Sequence, residues 1–181
     1  KSAAQNLIAK GSKLISQHAD SMGAPSACEA RNVPNVSYNG STIDSCPNTF
    51  LVSSRIDWEP YFEYIINCVA KGETIAADWT GTLATGSVVL TDINEAVAAK
   101  GTKEAVEAAK KDLEAGTLKV FDTSKFTVNG ETLTEYLADV DDMGDFVPET
   151  NAISDGYFHE SEYRSAPYFT IEIDGITRLD K

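Results

Sequence analysis

At 181 residues the chain has the length of one domain, or one and a fraction, and can bury a core without disulfide or metal staples. Hydrophobic residues make up 42% and charged residues 24% of it, an ordinary globular balance that excludes a disordered chain. Its net charge of −13 repels phosphate backbones and anionic headgroups, which argues against nucleic-acid binding and adsorption to lipid.

No apolar run reaches the roughly 20 residues that a bilayer-spanning helix needs. The first residues, Lys1-Ser2-Ala3-Ala4-Gln5-Asn6, do not read as a secretory leader, so a processed N-terminus or a fragment is expected. Residues 3–10 predict a helix with Ala4, Leu7 and Ile8 on one face and Gly11 as its stop. Residues 13–17 read as a short strand around Leu14 and Ile15. Asp20 or Ser21 can cap a helix over residues 25–31. Residues 33–38 make a second strand closed by Asn39-Gly40, and residues 50–53 a third. Asp57-Trp58-Glu59-Pro60 opens a stronger helix, in which Tyr61, Phe62, Ile65, Ile66 and Val69 recur at helical spacing. Tyr64 and Cys68 widen that face, so packing on more than one side is expected before Gly72 ends it.

After a glycine-punctuated stretch, Val88-Val89-Leu90 reads as a strand. Thr102 can cap a helix over residues 103–115 with Val106, Ala109 and Leu113 as its stripe and Gly116 as its stop. Leu118-Lys119-Val120-Phe121 reads as a further strand. This alternation implies an α/β fold, a mostly parallel sheet flanked by helices, over residues 1–121. From Asp122 the pattern changes. Phe126-Thr127-Val128 with Asn129-Gly130 is half a hairpin, and Thr132-Leu133-Thr134-Glu135 a capping box for a short helix through Leu137. An acidic irregular stretch and a last strand at residues 168–173 complete an expected irregular extension, residues 122–181, packed on the lobe and hinge.

Most chemical motifs are absent. Cys28, Cys46 and Cys68 are an odd set without CxxC spacing and read as free, buried thiols. Asp139, Asp141, Asp142 and Asp145 do not form a calcium loop: counted from Asp139, Met143 and Thr150 occupy ligand positions. A solvated acidic loop is expected instead. His159-Glu160-Ser161-Glu162 lacks the second histidine of a zinc motif, and the chain has only 2 histidines. No GxSxG, GxGxxG or Walker A segment occurs, so no catalytic residue, metal or cofactor is expected. What remains are residues at strand ends, where ligands bind in α/β sheets. His18 and Asp20 follow the first strand, and Tyr38 and Asn39 close the second. Asp20 could equally cap a helix and Tyr38-Asn39 equally make a turn. Trp58 and Trp79 are the only tryptophans, each a stacking platform or a core residue.

Five segments in order carry a resemblance. They are residues 14–21 (Leu14-Ile15-Ser16-Gln17-His18-Ala19-Asp20-Ser21), Val36-Ser37-Tyr38-Asn39, Ile56-Asp57-Trp58-Glu59-Pro60-Tyr61, Asp78-Trp79-Thr80-Gly81 through Gly86-Ser87-Val88, and Gly116-Thr117-Leu118-Lys119-Val120-Phe121. Their order and spacing resemble the C-terminal half of the basic-membrane-protein (BMP) family of ABC-transporter substrate-binding lipoproteins, which includes purine-nucleoside receptors. The tail resembles the family too, in Asp155-Gly156-Tyr157-Phe158-His159-Glu160-Ser161 and Arg164-Ser165-Ala166-Pro167-Tyr168-Phe169. The resemblance implies a type I periplasmic-binding-protein lobe, a missing N-terminal lobe of the same receptor, and extracytoplasmic, lipid-anchored placement at the plasma membrane. It also implies delivery of a purine-like small molecule to an ABC permease, without enzymatic activity. The ligand-binding positions it implies are His18, Asp20, Tyr38, Asn39, Trp58, Trp79 and Thr85. Thr85 stands in Ala84-Thr85-Gly86, where many nucleoside receptors of the family carry a ribose-gripping aspartate, and His18-Ala19-Asp20-Ser21 stands where they carry a glycine-rich segment. Both departures make a nucleobase or modified nucleoside a credible ligand. Two rival readings remain open: an α/β enzyme using His18 and Asp20 for acid–base chemistry on a nucleoside, and a surface interaction module acting through the acidic tail.

Overall fold

The computed structural model of the chain describes residues 1–140, 147–159 and 171–177. Asp141, Asp142 and Asp145 lie outside the described residues, as do residues 160–170, which hold Arg164-Ser165-Ala166-Pro167 and the start of the expected last strand. The chain divides into two compact units, Lys1–Ala115 and Gly116–Lys181.

In the first unit the order is α1 (Ser2–Ala9), β1 (Ile15–Ser16), α2 (Gly23–Glu29), β2 (Asn35–Tyr38), β3 (Phe50–Ile56), α3 (Glu59–Lys71), β4 (Val88–Leu90) and α4 (Thr102–Glu114). The strands form one sheet in the order β1-β2-β3-β4. β1, β2 and β3 run parallel, and β4 closes the edge antiparallel, with Ile56 opposite Val88. The sheet is thus mostly parallel, as expected, and the third strand runs three residues further than its sequence pattern indicated, to Ile56. α1 and α2 cover it through Ala4, Ile15, Ala27 and Cys28, with Leu7, Ile8 and Val33 packed around them. Burial pushes the Cys28 thiol up, and nearby Cys46 adds to the effect.

The crossover from β2 to β3, residues 39–49, contains no helix. Polar side chains hold it instead. The Asn35 amide donates to Thr49 Oγ1 at 3.1 Å, and the Thr49 hydroxyl donates to Glu29 Oε2 at 2.7 Å. Glu29 Oε1 accepts from Asn48 Nδ2 at 2.5 Å, and Ser37 and Thr42 share a hydroxyl contact at 3.0 Å. Asn35, Ser37 and Thr49 are buried, and each is paired, which is the condition for burying a polar group at low cost.

Several local expectations are corrected. α2 starts without Asp20 or Ser21 as its cap, because the Asp20 carboxylate accepts from Asn39. α4 starts after Gly101, whose φ of 88° supplies the turn, and Thr102 makes no side-chain cap bond. α3 is not packed all round: Cys68 is its buried residue, and Phe62, Ile66 and Val69 are exposed. Among the described residues no helix is long and apolar enough to cross a membrane.

The second unit holds two small ladders, β5 (Leu137–Ala138) with β6 (Thr150–Asn151) and β7 (Ile153–Ser154) with β8 (Tyr157–Phe158). Its core is Ala138, Ala152, Ile153 and Phe158. Leu118-Lys119-Val120-Phe121 is not a strand; it lies irregularly, with the Lys119 ammonium 4.4 Å from the Tyr157 ring centre. The capping-box helix is also absent, because the Tyr136 N–H donates to Asn151 and the next two residues pair as strand. Asn129-Gly130 does make the expected tight turn, with φ of 54° and 81° and Val128 bridged to Glu131. Asp174 caps it by accepting from the Thr127 hydroxyl at 2.6 Å and the Gly130 N–H at 2.8 Å. Residues 171–173 carry no strand.

Hydrogen bonds from Asn48 and Thr49 hold the Glu29 carboxyl below its ordinary range. A carboxyl depressed in the folded state stabilises above its unfolded pKa and stops doing so as pH falls through the folded value. Glu29→Ala should therefore unfold at lower urea than wild type at neutral pH, with the gap closing in acid. Circular dichroism melts across pH check this, and a gap independent of pH would refute it.

Candidate functional site

The parallel strands β1, β2 and β3 end at one sheet edge, and the start of antiparallel β4 lies at the same edge. Tyr38 is the last residue of β2, five of the other sequence-derived positions belong to residues just past those strand ends or to the loop leading into β4, and Thr85 sits in the turn before β4. They fall into two groups.

The first group follows β1 and β2. The His18 and Tyr38 rings stack at 4.2 Å with an interplanar angle of 17°. Asn39 has a φ of 65°, a backbone state that asparagine tolerates better than most residues. From there its amide donates to Asp20 Oδ1 at 3.1 Å. Asp20 and Tyr38, with Gln17, Ser21 and Thr42, line an open cleft of about 250 Å³. One face of Tyr38 is covered by His18.

A second group is built on α3. Its start is fixed by Asp57, whose Oδ1 accepts the Glu59 N–H at 3.1 Å while Oδ2 pairs with Arg55 at 3.1 Å. Tyr61 and Tyr64, one helical turn apart, face the same side and meet Trp79. Ring centres are 5.2 Å apart for Tyr61–Trp79 and 6.4 Å for Tyr64–Trp79. The Tyr64 hydroxyl also accepts the Ala76 N–H at 2.8 Å, which ties the incoming loop to the helix. Trp58 sits edge-on to Tyr61 at 6.2 Å and is 57% exposed, so much of its surface is open to a ligand. Trp58, Tyr61 and Trp79, with Asp57, Asp78 and Ser87, line a cleft of about 420 Å³. That lies within the roughly 300–1,000 Å³ of small-molecule sites. The lining contains two carboxylates and no basic residue.

Thr85 lines neither of these clefts. Its hydroxyl donates to the Thr82 carbonyl at 3.0 Å and accepts the Thr82 N–H at 2.8 Å, while the Thr85 N–H donates to Thr82 Oγ1 at 3.2 Å. The residue closes the turn that returns the chain into β4. Sequence reasoning missed Tyr61, Asp78, Gly81 and Ser87 as lining residues. Tyr61 was legible as the residue one turn from Trp58, although its spacing equally fits a core stripe. Nothing in the pattern marks Ser87. Among the described residues no cluster of three or more histidine, cysteine or acidic side chains could hold a metal ion.

No family model matches the chain, and neither does any curated protein. Among solved structures it is similar to an ABC transporter solute-binding protein from Conexibacter woesei, at 22% identity and a TM-score of 0.52, over 66% of this chain and 40% of that one. At that identity the likeness shows the fold, an α/β arrangement of the periplasmic-binding kind. This chain spans less than half the length of that protein.

Because the Thr85 hydroxyl serves the turn, Thr85→Val should lower stability by about 1 kcal/mol, the typical worth of such a bond. A denaturant melt unchanged from wild type would contradict that role.

Proposed function

We propose that this chain is the ligand-binding lobe of an ABC-transporter solute-binding lipoprotein of the BMP type, taking purine nucleosides or nucleobases and having no enzymatic activity. The observation that carries the reading is the aromatic cleft of Trp58, Tyr61 and Trp79 at the edge where the parallel strands end. Flat rings beside a polar rim suit a planar, hydrogen-bonding ligand. The solute-binding fold supports the same reading, and so does the resemblance of the strand-end segments to the BMP family. His18, Asp20, Tyr38 and Asn39 stand at the same edge and in this reading supply further polar contacts. Thr85 acts indirectly, by shaping the loop before β4.

The mechanism follows from the architecture. A second lobe of a type I receptor closes over this edge, ligand bridges the two, and the closed population reports occupancy to the permease. A lipid anchor on the complete receptor keeps it outside the cytoplasm, at the plasma membrane.

One observation favours a second ligand class. Asp57 is paired with Arg55, but Asp78 stands in the cleft lining beside three aromatic rings. That combination also attracts a small organic cation.

Both classes are separated by titrating the protein with adenosine, guanosine, adenine and choline and following tryptophan fluorescence. Purine binding is expected, weakened roughly 5- to 150-fold by Trp58→Ala or Trp79→Ala, the usual loss of one stacking partner. Choline binding without purine binding would transfer the site to organic cations, and binding of neither would remove both ligand classes.

A further inference from the structure

The cleft past β1 and β2 has a chemistry of its own. Asp20 accepts from Asn39 through Oδ1 alone, at 3.1 Å, which leaves Oδ2 without a partner among the described residues. The Tyr38 hydroxyl is likewise unpaired among them. Asp20 is exposed and Tyr38 half-buried, so a solute can reach both. Gln17, Ser21, Ser41 and Thr42 complete the polar lining, which contains no lysine or arginine. A carboxylate oxygen among hydroxyls and an amide suits an uncharged polyhydroxyl group, whose O–H donates to the carboxylate in a charge-assisted bond. The same carboxylate, with no cation beside it, repels a phosphate.

Strand register places this cleft next to the aromatic one. Tyr38 lies opposite Ser54, and Ile56, two residues further along β3, lies opposite Val88. Residues two apart on a strand share a face, so Tyr38, Ile56 and Val88 share one face of the sheet. One strand spacing across and two residues along put the Tyr38 and Ile56 Cα atoms about 8 Å apart. Ile56 and Val88 line the aromatic cleft. A planar ring joined by one bond to a sugar has a comparable span.

We propose, resting on the solute-binding reading, that the two clefts are subsites for one ligand and that the Asp20–Tyr38 cleft takes its sugar. The ligand class is then an unphosphorylated glycoside of a planar ring, in preference to the free ring or the sugar phosphate. Asp20 Oδ2 accepts from one sugar hydroxyl and the Tyr38 hydroxyl pairs with another. Asn39, from its backbone at φ 65°, holds the Asp20 carboxylate in place. The free ring leaves these groups without a partner, and the sugar phosphate brings a second negative charge to Asp20.

The test titrates the full chain and its Asp20→Asn and Tyr38→Phe variants with adenosine, adenine and adenosine monophosphate. Affinities are read from NMR chemical-shift changes, and folding of each variant is checked by circular dichroism. Wild type should bind adenosine more tightly than adenine or the monophosphate. Asp20→Asn, which keeps an acceptor for Asn39, should bind adenosine roughly tenfold more weakly with adenine unchanged. Tyr38→Phe should weaken adenosine about threefold, again sparing adenine. Adenosine binding no tighter than adenine, or the monophosphate binding as tightly as adenosine, overturns the sugar subsite and leaves the solute-binding reading intact. An Asp20→Asn loss that is equal for adenosine and adenine overturns it too, since Asp20 would then act on the ring or on the fold. Failure of wild type to bind either adenosine or adenine removes the purine class and the subsite with it.

Discussion

Parallel strands cannot be joined by a tight turn, and the β2–β3 connection meets that constraint with side-chain polarity rather than with a helix. Glu29, at the end of α2, accepts from Asn48 and Thr49, and Thr49 accepts from Asn35 on β2. The same few bonds tie helix, crossover and strand together. They let Tyr38 and Ile56 finish at a common edge, which is where every residue discussed as ligand-facing is found. The network's buried members, Asn35 and Thr49, stabilise only while each is satisfied, and the depressed pKa of Glu29 follows from the hydrogen bonds it accepts.

At that edge, position is turned into shape by α3 and the loop before β4. Asp57 fixes the helix start, Tyr61 and Tyr64 hold Trp79, and the reciprocal Thr82–Thr85 turn brings Ser87 back beneath Gly81. The cleft therefore depends on two aromatic residues whose helical spacing also suits a core, and on one glycine kept for space. The outer face of α3, with Phe62, Ile66 and Val69 exposed, shows that this helix is not simply a buried element. Its inner side shapes the cleft.

Legibility in the sequence tracked how local each signal was. α1, α2, α3, α4 and the four strands of the first unit were readable because apolar periodicity and glycine stops are short-range features. Caps were less so: Asp20 looks like a helix cap in sequence, yet Asn39, nineteen residues away in the chain, captures it. Leu118-Lys119-Val120-Phe121 has strand propensity, but its pairing is confined to its end, where the Phe121 carbonyl accepts the Phe158 N–H and Asp122 bridges Tyr157, and Thr132-Leu133-Thr134-Glu135 has a cap pattern overridden by pairing at Leu137 and Ala138. At the site, aromatic residues announce themselves by type and strand-end position. Ser87 and Gly81 do not, since they meet across a loop that no spacing rule foresees, so closely that a Cβ added at Gly81 would lie 2.5 Å from the Ser87 Cβ.

The central claim is that ligand lies in the cleft walled by Trp58 and Trp79. With only two tryptophans in the chain, their indole N–H signals in a ¹⁵N-correlated NMR spectrum are a direct report. Addition of adenosine should move both, together with the backbone signals of Gly81, Ser87 and Val88. Shifts confined to His18, Asp20 and Tyr38, or to residues 116–177, with both indole signals unmoved, would contradict the account.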